Sequence, residues 1–393
     1  MQDNEKKPAL RFKGFTDPWE QRKLGEIAKE VVRNDPASDA PIMMITAGNG
    51  FIEQSDRYAF NNAGESLKKY ILLERGELAY NHGASKLRPY GSCFALTTVE
   101  KARIPFVYHC FSVEKSNPEF LSIELNGANV ENQLRKIVSS GARMDGLLNI
   151  AYSEYTEVTV QLPKKEEQDW IAKFFKHLDT LITLHQRKYE KLVNIKKSML
   201  DKMFPQNGAS VPEIRFKGFT DPWEQRKVRE VTDRYDNLRI PVAASLRVAG
   251  TTPYYGANGI QDYVEGYTHD GEFILVAEDG ANDLKNYPVK CVKGRIWVNN
   301  HAHVLQGKCA CADNQFLAYA ISQADIESLL VGGGRAKLNA ETLMDIELLL
   351  PSKDEQIQIG HYLARLDHLI TLHQRKLEKL QNIKKSCLEK MLV

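Results

Sequence analysis

The chain carries the same thirteen residues twice, and this repeat limits the folds open to it more than any other feature. The segment RFKGFTDPWEQRK spans residues 11–23 and recurs unchanged at residues 215–227. A second repeat, LITLHQRK, spans residues 181–188 and 369–376. The text between the repeats barely matches and is longer in the first half. The sequence therefore predicts two tandem halves, each with a constant opening segment, a variable domain and a constant tail.

The repeated tails predict two long helices. Pro163 and Pro351 stand where helices begin, acidic residues follow them, and lysines crowd the last turns. Apolar residues recur in steps of four and three, which is the heptad pattern of a coiled-coil seam. Residues 166–203 would form roughly 57 Å of helix. The seam residues are Ile171, Phe175, Leu178, Ile182, His185, Tyr189, Leu192, Lys196, Met199 and Met203, then Ile359, Leu363, Leu366, Ile370, His373, Leu377, Leu380, Lys384, Cys387 and Met391.

One such seam needs a partner helix, and the chain supplies a single further copy of it. We therefore expect the two helices to form an antiparallel coiled coil within the chain. His185 lies close to the midpoint of the first helix, so its copy His373 should lie across the seam. Two neutral imidazoles there would have a structural role, because an exchanged hydrogen bond helps to fix the register. The same geometry returns Val393 to the neighbourhood of Arg11.

The variable domains mix two kinds of pattern, so the predicted fold class is α+β. KKYILLERGELAYN, GEFILVAEDG, GRIWVNNHAHVL and TEVTVQLP are typical of strands, whereas NPEFLSIELNG and NQFLAYAIS are typical of short helices. We place the first domain at 1–162, its helix at 163–204, a linker with the second domain at 205–350, and the second helix at 351–393. We expect a pseudo-twofold axis to relate the two halves.

Composition and charge argue against several classes of protein. The net charge is only +2, so a nucleic-acid role would need basic residues placed locally rather than in global excess. The first residues are polar, and no apolar run approaches the ~20 residues of a membrane span. The six cysteines lack metal-site spacing. They indicate reduced thiols, so we expect a cytoplasmic protein with no membrane partner.

The sequence shows no catalytic motif. A P-loop, G-x-G-x-x-G after a strand, H-E-x-x-H, G-x-S-x-G and a methyltransferase signature are all absent. We therefore predict no catalytic residue, no cofactor in this chain and no metal site. His301 and His303 alternate along a predicted strand in NNHAH. They are either a metal pair or structural polar residues on one strand face, and no third ligand accompanies them.

Two pairs of loops match across the divergent domains and are candidates for DNA contacts. GASKLRPY (83–90) and GANDLKNY (280–287) share the pattern G-A-x-x-L-[RK]-x-Y. SSGARMDGLLN and VGGGRAKLN place an arginine on a glycine-rich loop before each tail. Arginine suits bidentate contacts with guanine, but ordinary turns with a packed tyrosine would show the same patterns. The candidate residues are Lys86, Arg88, Tyr90, Arg143, Lys285, Tyr287 and Arg335.

The repeated opening segment carries more aromatic residues than a solvated tail would. These residues are Phe12, Phe15 and Trp19, with their copies Phe216, Phe219 and Trp223. Docking of the segment against a helix end accounts for them. The alternative is direct DNA contact by the basic residues of the segment, which are Arg11, Lys13, Arg22 and Lys23.

These features resemble the DNA-specificity subunits of type I restriction–modification enzymes. The resemblance covers essentially the whole chain. It rests on the duplicated RFKGFTDPWEQRK and LITLHQRK segments and on the second-domain phrases TPYYGANGI and WVNNHAHVL. Two divergent domains separated by near-identical helices are that family's pattern.

The resemblance implies a division of labour between this chain and its partners. Each domain would be a target-recognition domain that reads one half of a bipartite, asymmetric site in double-stranded DNA. The helix pair would set the spacing and dock two methyltransferase subunits, which bind S-adenosylmethionine and methylate adenine. Restriction subunits, which are motor nucleases, would join through the methyltransferase. The chain itself would perform no chemistry.

Two other classes of function stay open on the sequence. A self-contained DNA methyltransferase or endonuclease with duplicated binding domains would carry a bound methyl donor or nucleotide when purified. A coiled-coil scaffold without a DNA role would form complexes that ignore DNA sequence.

Overall fold

The structure is a computed structural model that describes residues 7–57, 64–138, 148–206, 208–332 and 336–392. It contains two compact units. The first unit comprises Met1–Leu184 with Leu377–Val393, and the second comprises His185–Lys376. Each unit therefore combines one domain with parts of both tail helices.

The described part of the first unit holds ten strands and three short helices. The strands are β1 (Glu20–Lys23), β2 (Ala28–Glu30), β3 (Met43–Thr46), β4 (Gly50–Glu53), β5 (Ile71–Glu74), β6 (Leu78–Asn81), β7 (Ser92–Ala95), β8 (Lys101–Ile104), β9 (His109–Val113) and β10 (Thr159–Leu162). The short helices are α1 (Pro118–Leu125), α2 (Ala128–Ile137) and α3 (Tyr152–Tyr155). The first tail is α4 (Lys165–Met203).

The described part of the second unit holds eight strands and three short helices. The strands are β11 (Glu224–Lys227), β12 (Thr232–Arg234), β13 (Ala249–Gly256), β14 (Gly259–Val264), β15 (His269–Ala277), β16 (Val289–Val298), β17 (Ala302–Gly307) and β18 (Glu347–Leu350). The short helices are α5 (Val228–Val231), α6 (Asn314–Ser322) and α7 (Ala340–Asp345). The second tail is α8 (Lys353–Met391). None of the helices described here is both long and apolar enough to cross a membrane.

The predicted α+β class and the two long tail helices are confirmed. In the first unit a four-stranded sheet has the order β2-β9-β6-β7, beside the pairs β1-β10, β3-β4 and β5-β8. In the second unit a six-stranded sheet has the order β12-β17-β15-β16-β13-β14, beside the pair β11-β18. Only the β13–β16 neighbours in that sheet run parallel. The six predicted strand and helix segments all form those elements, although KKYILLERGELAYN divides into β5 and β6 around a turn at Gly76. GRIWVNNHAHVL likewise divides into β16 and β17, and His301 lies in the turn between them rather than on a strand.

The repeated opening segment builds the same frame in both units. Its last four residues form β1 or β11, which pairs antiparallel with the strand that directly precedes the long helix. Its tryptophan is buried against the phenylalanine of a short helix, Trp19 on Phe120 and Trp223 on Phe316. The identical segment therefore makes the same strand pairing and the same core contact in both units.

An ion pair joins each opening segment to the first turn of its long helix. In the first unit the guanidinium of Arg11 donates to both carboxylate oxygens of Glu167 at 2.6 Å. In the second unit Arg215 makes the same bidentate contact with Glu355 at 2.7 Å. The two glutamates are 1% and 0% exposed. Docking of the opening segment against a helix end is therefore confirmed.

The residue after each of these glutamates ties the helix start to the domain. The side-chain nitrogen of Gln168 donates to the carbonyl of Pro163 at 2.8 Å. The side-chain oxygen of Gln168 accepts from the backbone amide of Asn117. Gln356 makes the matching contacts with Pro351 and Asp313. Asn117 and Asp313 are themselves the N-caps of α1 and α6. One glutamine thus links the long helix to a capped short helix in each unit.

The long helices run antiparallel in each unit. In the first unit Lys384 of α8 forms an ion pair with Asp179 of α4 at 2.5 Å. The backbone amide of Leu10 donates to the carbonyl of Lys390, so α8 returns to the opening segment as predicted. Val393 itself lies outside the described residues. In the second unit Lys196 of α4 pairs with Asp367 of α8 at 2.6 Å.

The predicted contact between His185 and His373 is confirmed, and it lies within the second unit. Their Nδ1 atoms are 2.8 Å apart, and the ring centroids are 5.0 Å apart. This contact is a hydrogen bond only if one Nδ1 carries a proton and the other accepts it. The neutral rings are therefore well matched, whereas two charged rings would have no acceptor.

We expect acid to loosen the helix pair in the second unit. Burial, His185 and the nearby Lys188 and Lys376 lower the pKa of His373 below its ordinary value. The stability linked to this lowered pKa is present above the ordinary value of about 6.5 and is lost as the pH falls below it. Thermal unfolding should therefore occur at a lower temperature in mild acid, and His373→Gln should reduce that shift. His368→Gln, at an exposed position of the same helix, is the control. Equal acid sensitivity in both variants would contradict the assignment.

We expect Arg215→Ala to destabilise the second unit by about 3 kcal/mol, because it leaves the buried Glu355 carboxylate without its partner. Urea unfolding followed by tryptophan fluorescence would measure the loss. Arg226→Ala is the matched control, since Arg226 pairs with Glu224 at the surface and its removal should change little. Similar losses in the two variants would show that the Arg215 contact does not hold the frame.

Candidate nucleic-acid interface

In the second unit three loops meet at one edge of the six-stranded sheet. The loop that follows β15 carries GANDLKNY, and the turn between β13 and β14 carries Asn258. The side chain of Asn258 donates to the carbonyl of Gly280 at 2.8 Å and accepts from the amide of Asn282 at 3.0 Å. On the other side, Asp279 forms a backbone bridge with Lys337, which follows the glycine-rich segment. The structure thus brings both second-domain candidate loops together.

The first unit brings the corresponding three loops together. The loop that follows β6 carries GASKLRPY, and the turn between β3 and β4 carries Gly48, which lies close to Leu87. Asn81 at the end of β6 donates to the carbonyl of Ile45 at 3.0 Å. Leu148, just after the arginine segment, donates to the carbonyl of His82 at 2.8 Å. Within the described residues, the two domains therefore bring together corresponding turns and loop ends although their sequences diverge.

The third loop of each cluster is a hairpin turn that the sequence analysis did not single out. The signal was present, because TAGNGF and YGANGI both contain the Asn-Gly pair that is typical of hairpin turns, and the structure places it between β3 and β4 and between β13 and β14. Asn49 and Asn258 occupy equivalent positions in these turns. Asn-Gly explains the hairpin locally, but only the folded sheet places the turn beside the other two loops.

Of the candidate cations in the first loop pair, two are exposed and one is held by the fold. The side chains of Lys86 and Lys285 are exposed at the loop surface. Arg88 instead donates to the carbonyl of Asn126 at 2.7 Å, and burial lowers the pKa of its guanidinium. Arg88 therefore ties its loop to the end of α1, whereas the two lysines are available to a phosphate.

The two candidate tyrosines pack beneath their loops. Tyr287 is 5% exposed, and its hydroxyl donates to the carbonyl of Ala277 at 3.0 Å. Burial raises the pKa of Tyr287 to about 12. Tyr90 is half-buried against the first core, and its carbonyl accepts from the hydroxyl of Tyr80 at 2.5 Å. For Tyr287 the structure shows the packed-tyrosine alternative, because neither its ring nor its hydroxyl is left for a duplex.

Arg143 and Arg335, the remaining two candidates, lie outside the described residues. The chain that follows each of them is well defined. Leu148 and Leu338 are buried, and each is bonded to the candidate loop of its own unit. Both arginine segments therefore end at the three-loop cluster.

Two arginines of the second unit stack on tyrosines and were missed in the sequence, and of these Arg295 is exposed whereas Arg247 is largely buried. The guanidinium of Arg247 lies 4.0 Å from the ring centroid of Tyr254, and that of Arg295 lies 4.8 Å from Tyr267. Arginine stacked on tyrosine is pre-oriented for a phosphate or a base edge. These pairs join residues distant in sequence, so no local motif announces them. Leu87 and Leu284, at matching loop positions, are also exposed.

The two histidines of NNHAH take part in the fold. His303 lies between Asp236 and the carbonyl of Leu338, at 2.7 and 2.9 Å. His301 contacts Asp279 at 2.5 Å. Within the described ranges, His, Cys, Asp and Glu side chains nowhere form a group of three or more that could hold a metal ion. Of the two alternatives for this pair, the contacts favour structural polar residues.

Residues 220–382 match the family described as the type I restriction modification DNA specificity domain. A putative type I restriction enzyme specificity subunit from Haemophilus influenzae is 44% identical over 146 residues, which is 37% of this chain and 38% of that protein. A putative type I specificity subunit from Methanocaldococcus jannaschii is 24% identical over 96% of this chain and 93% of its own length. Residues 220–382 are therefore similar to the DNA specificity domain of type I restriction–modification systems, and the curated relatives that match the chain are specificity subunits.

The fold agrees with this family. The crystal structure of a type I restriction–modification S subunit from M. genitalium superposes with a TM-score of 0.67, at 14% identity, over 98% of this chain and 99% of that one. The likeness extends over both units and both long helices. The three-loop clusters described above therefore belong to a chain with the architecture of a specificity subunit.

We expect Lys285→Ala to weaken duplex binding and to lower the slope of affinity against salt by about one counterion, if its ammonium group contacts a phosphate. Affinity measured by fluorescence anisotropy at several salt concentrations would show this. Lys293→Ala is the control, because Lys293 is an exposed lysine of the same unit on the strand β16 rather than in the cluster. Unchanged affinity and slope in Lys285→Ala would leave the loop as an ordinary turn.

Proposed function

We propose that this chain is the non-catalytic specificity subunit of a type I restriction–modification complex. It directs methyltransferase and restriction subunits to a bipartite, asymmetric site in double-stranded DNA. Each domain reads one half-site, and the helix pair sets the spacing between the half-sites. The observation that carries this proposal is the recurrence of the three-loop cluster on an identical frame with different side chains.

The different side chains support an asymmetric site. The first cluster presents Lys86 where the second presents Asp283, and the second presents Lys285 where the first has Arg88 bonded to the fold. Base edges are distinguished by the pattern of donors and acceptors that meets them. Two clusters with different polar side chains would therefore read different bases.

The repeated helix faces support two copies of one partner. Glu190, Lys191 and Asn194 of α4 are exposed in the second unit. Their copies in α8, Glu378, Lys379 and Asn382, are exposed in the first unit. An identical exposed surface carried once by each unit suits two identical subunits. We propose that these are the methyltransferase subunits and that S-adenosylmethionine binds to them.

The modest charge of the chain fits a shared interface. A net charge of +2 on 393 residues supplies little general attraction for a duplex. Partner subunits that enclose the duplex would contribute phosphate contacts, while this chain contributes base contacts. Restriction subunits would join this assembly through the methyltransferase.

We expect exchange of residues 24–162 for the same region of another family member to change one half of the methylated motif only. The physical reason is that these residues lie between the repeated opening strand and the repeated helix, so the frame survives the exchange. Mapping methylated adenines on DNA exposed to the assembled methyltransferase would report both halves.

Exchange of residues 228–350 is the matched control, and it should change the other half. A change in both halves after either exchange would contradict the two-reader proposal. The chain purified alone should transfer no methyl group to DNA and cut no DNA, whereas either activity would favour a self-contained enzyme.

A further inference from the structure

One leucine in each unit has both of its backbone polar groups held. In the first unit the amide of Leu148 donates to the carbonyl of His82 at 2.8 Å, and its own carbonyl lies 2.7 Å from Nδ1 of that histidine. In the second unit the amide of Leu338 donates to the carbonyl of Glu278 at 2.8 Å. The carbonyl of Leu338 lies 2.9 Å from Nε2 of His303. Leu148 lies five residues after Arg143, and Leu338 lies three residues after Arg335.

The two histidines occupy different places in the fold and use opposite ring nitrogens. His82 precedes the loop GASKLRPY, whereas His303 lies on β17. His82 reaches its leucine through Nδ1, and His303 reaches its leucine through Nε2. The variable domains barely match in sequence, so the same contact is built in two ways. The two domains did not keep this histidine–leucine contact by keeping the same sequence. A structural requirement that both domains share, namely a held leucine carbonyl, accounts for its presence in each.

Each imidazole is held on its other side as well. Nε2 of His82 lies 2.7 Å from the carbonyl of Val107, and the ring stacks on His109 with centroids 5.1 Å apart. Nδ1 of His303 lies 2.7 Å from a carboxylate oxygen of Asp236. His82 is 6% exposed and His303 is 1% exposed. Both polar neighbours of His82 are carbonyl oxygens, so its neutral ring donates to only one of them at a time, and the close packing on both sides confines each ring beside its leucine carbonyl.

A network of charges stiffens the second clamp. Asp236 also accepts from the backbone amide of Val304 at 2.8 Å. Arg239 donates to Glu278 at 2.6 Å, and Lys337 pairs with the other oxygen of Glu278 at 2.9 Å. Burial alone would raise the pKa of Asp236, but His303, the Val304 amide and Arg239 lower it overall. The base of the GANDLKNY loop and the end of the arginine segment therefore share one rigid support.

We propose that His82 and His303 are positioning residues for base reading, each for the half-site of its own domain. This inference rests on the proposed function. Both side chains are too buried to touch a duplex, so they act through the loops that they hold. Hydrogen bonds to base edges discriminate only when the donor is placed within about 0.5 Å of its ideal position. A leucine carbonyl released from its histidine would loosen the base of the GASKLRPY or GANDLKNY loop, because the amide of the same leucine is bonded there.

Asparagine and glutamine variants separate the two bonds of each ring. The amide nitrogen of asparagine falls near the position of Nδ1, and that of glutamine falls near the position of Nε2. His82→Asn therefore keeps the bond to Leu148, whereas His82→Gln keeps only the bond to Val107. For His303 the order is reversed, because His303→Gln keeps the bond to Leu338 and His303→Asn keeps only the bond to Asp236.

The test is selection of duplexes from a pool of random sequence by the full chain assembled with its methyltransferase subunits, followed by sequencing of the bound fraction. We expect His82→Gln and His303→Asn to lose about tenfold of discrimination at one half-site each, which corresponds to about 1.4 kcal/mol. The other half-site should keep its preference. His82→Asn and His303→Gln should retain most of the discrimination of the natural chain. This crossed pattern would support the positioning role, since a general loss of packing would not follow the retained nitrogen.

The control is His269→Gln, because His269 is 2% exposed in the same sheet but contacts Thr268 and Tyr235 instead of a loop of the cluster. Thermal unfolding and affinity for an unrelated duplex identify any variant that fails to fold. If a His82 variant fails to fold, the two His303 variants test the positioning role, and the His82 variants test it if a His303 variant fails. Equal behaviour of the asparagine and glutamine variants would overturn the inference. If the natural chain, assembled with its methyltransferase subunits, enriches no sequence, the proposed function fails as well.

Discussion

The frame of this protein depends on an ion pair that occurs twice. A guanidinium from the opening segment makes two parallel hydrogen bonds to a glutamate in the first turn of a long helix, Arg11 to Glu167 and Arg215 to Glu355. Both glutamates are almost fully buried, and a buried carboxylate without a partner is strongly destabilising. The opening segment must therefore stay docked. Its strand then pairs with the strand before the helix, and its tryptophan closes the core.

Such a frame separates what is constant in the chain from what varies. The paired strands, the buried tryptophan and the bridging glutamine recur in both units, whereas the loops between them share a few turn and packing residues and differ at the other positions. Loops carried on a rigid support can change sequence without unfolding the support. This is the physical basis on which one architecture can read different DNA sequences.

The loops are themselves well ordered by their own polar groups. Asn258 bonds to Gly280 and Asn282, and the carboxylate of Asp283 accepts from the amides of Lys285 and Asn286. A loop can be an ordinary, well-ordered turn and still contact DNA. If these loops contact a duplex as proposed, their backbone is already fixed before binding, so less conformational freedom would be lost. The exposed Lys86 and Lys285 are the side chains that such loops leave available.

The sequence by itself determined the tandem halves, the mixed fold class, both long helices, their antiparallel pairing and the contact between His185 and His373. These follow from exact repeats and from heptad spacing, which are local and periodic signals. The predicted strands and short helices of the domains also formed, because each carries its own pattern of apolar residues and turn residues. The candidate loops were found because their patterns match across domains that otherwise differ.

Only the tertiary structure decided which groups meet. Arg11 pairs with Glu167, which is 156 residues away in the sequence, and His303 contacts Asp236, which is 67 residues away. The three loops of each cluster come from separate parts of a domain. Burial likewise decided that Tyr287 packs inside and that Arg88 holds its own loop through Asn126. No local pattern encodes such contacts, since strand order and the closure of the sheet choose the partners. The same turn sequence can therefore present a side chain to DNA or bury it in the fold.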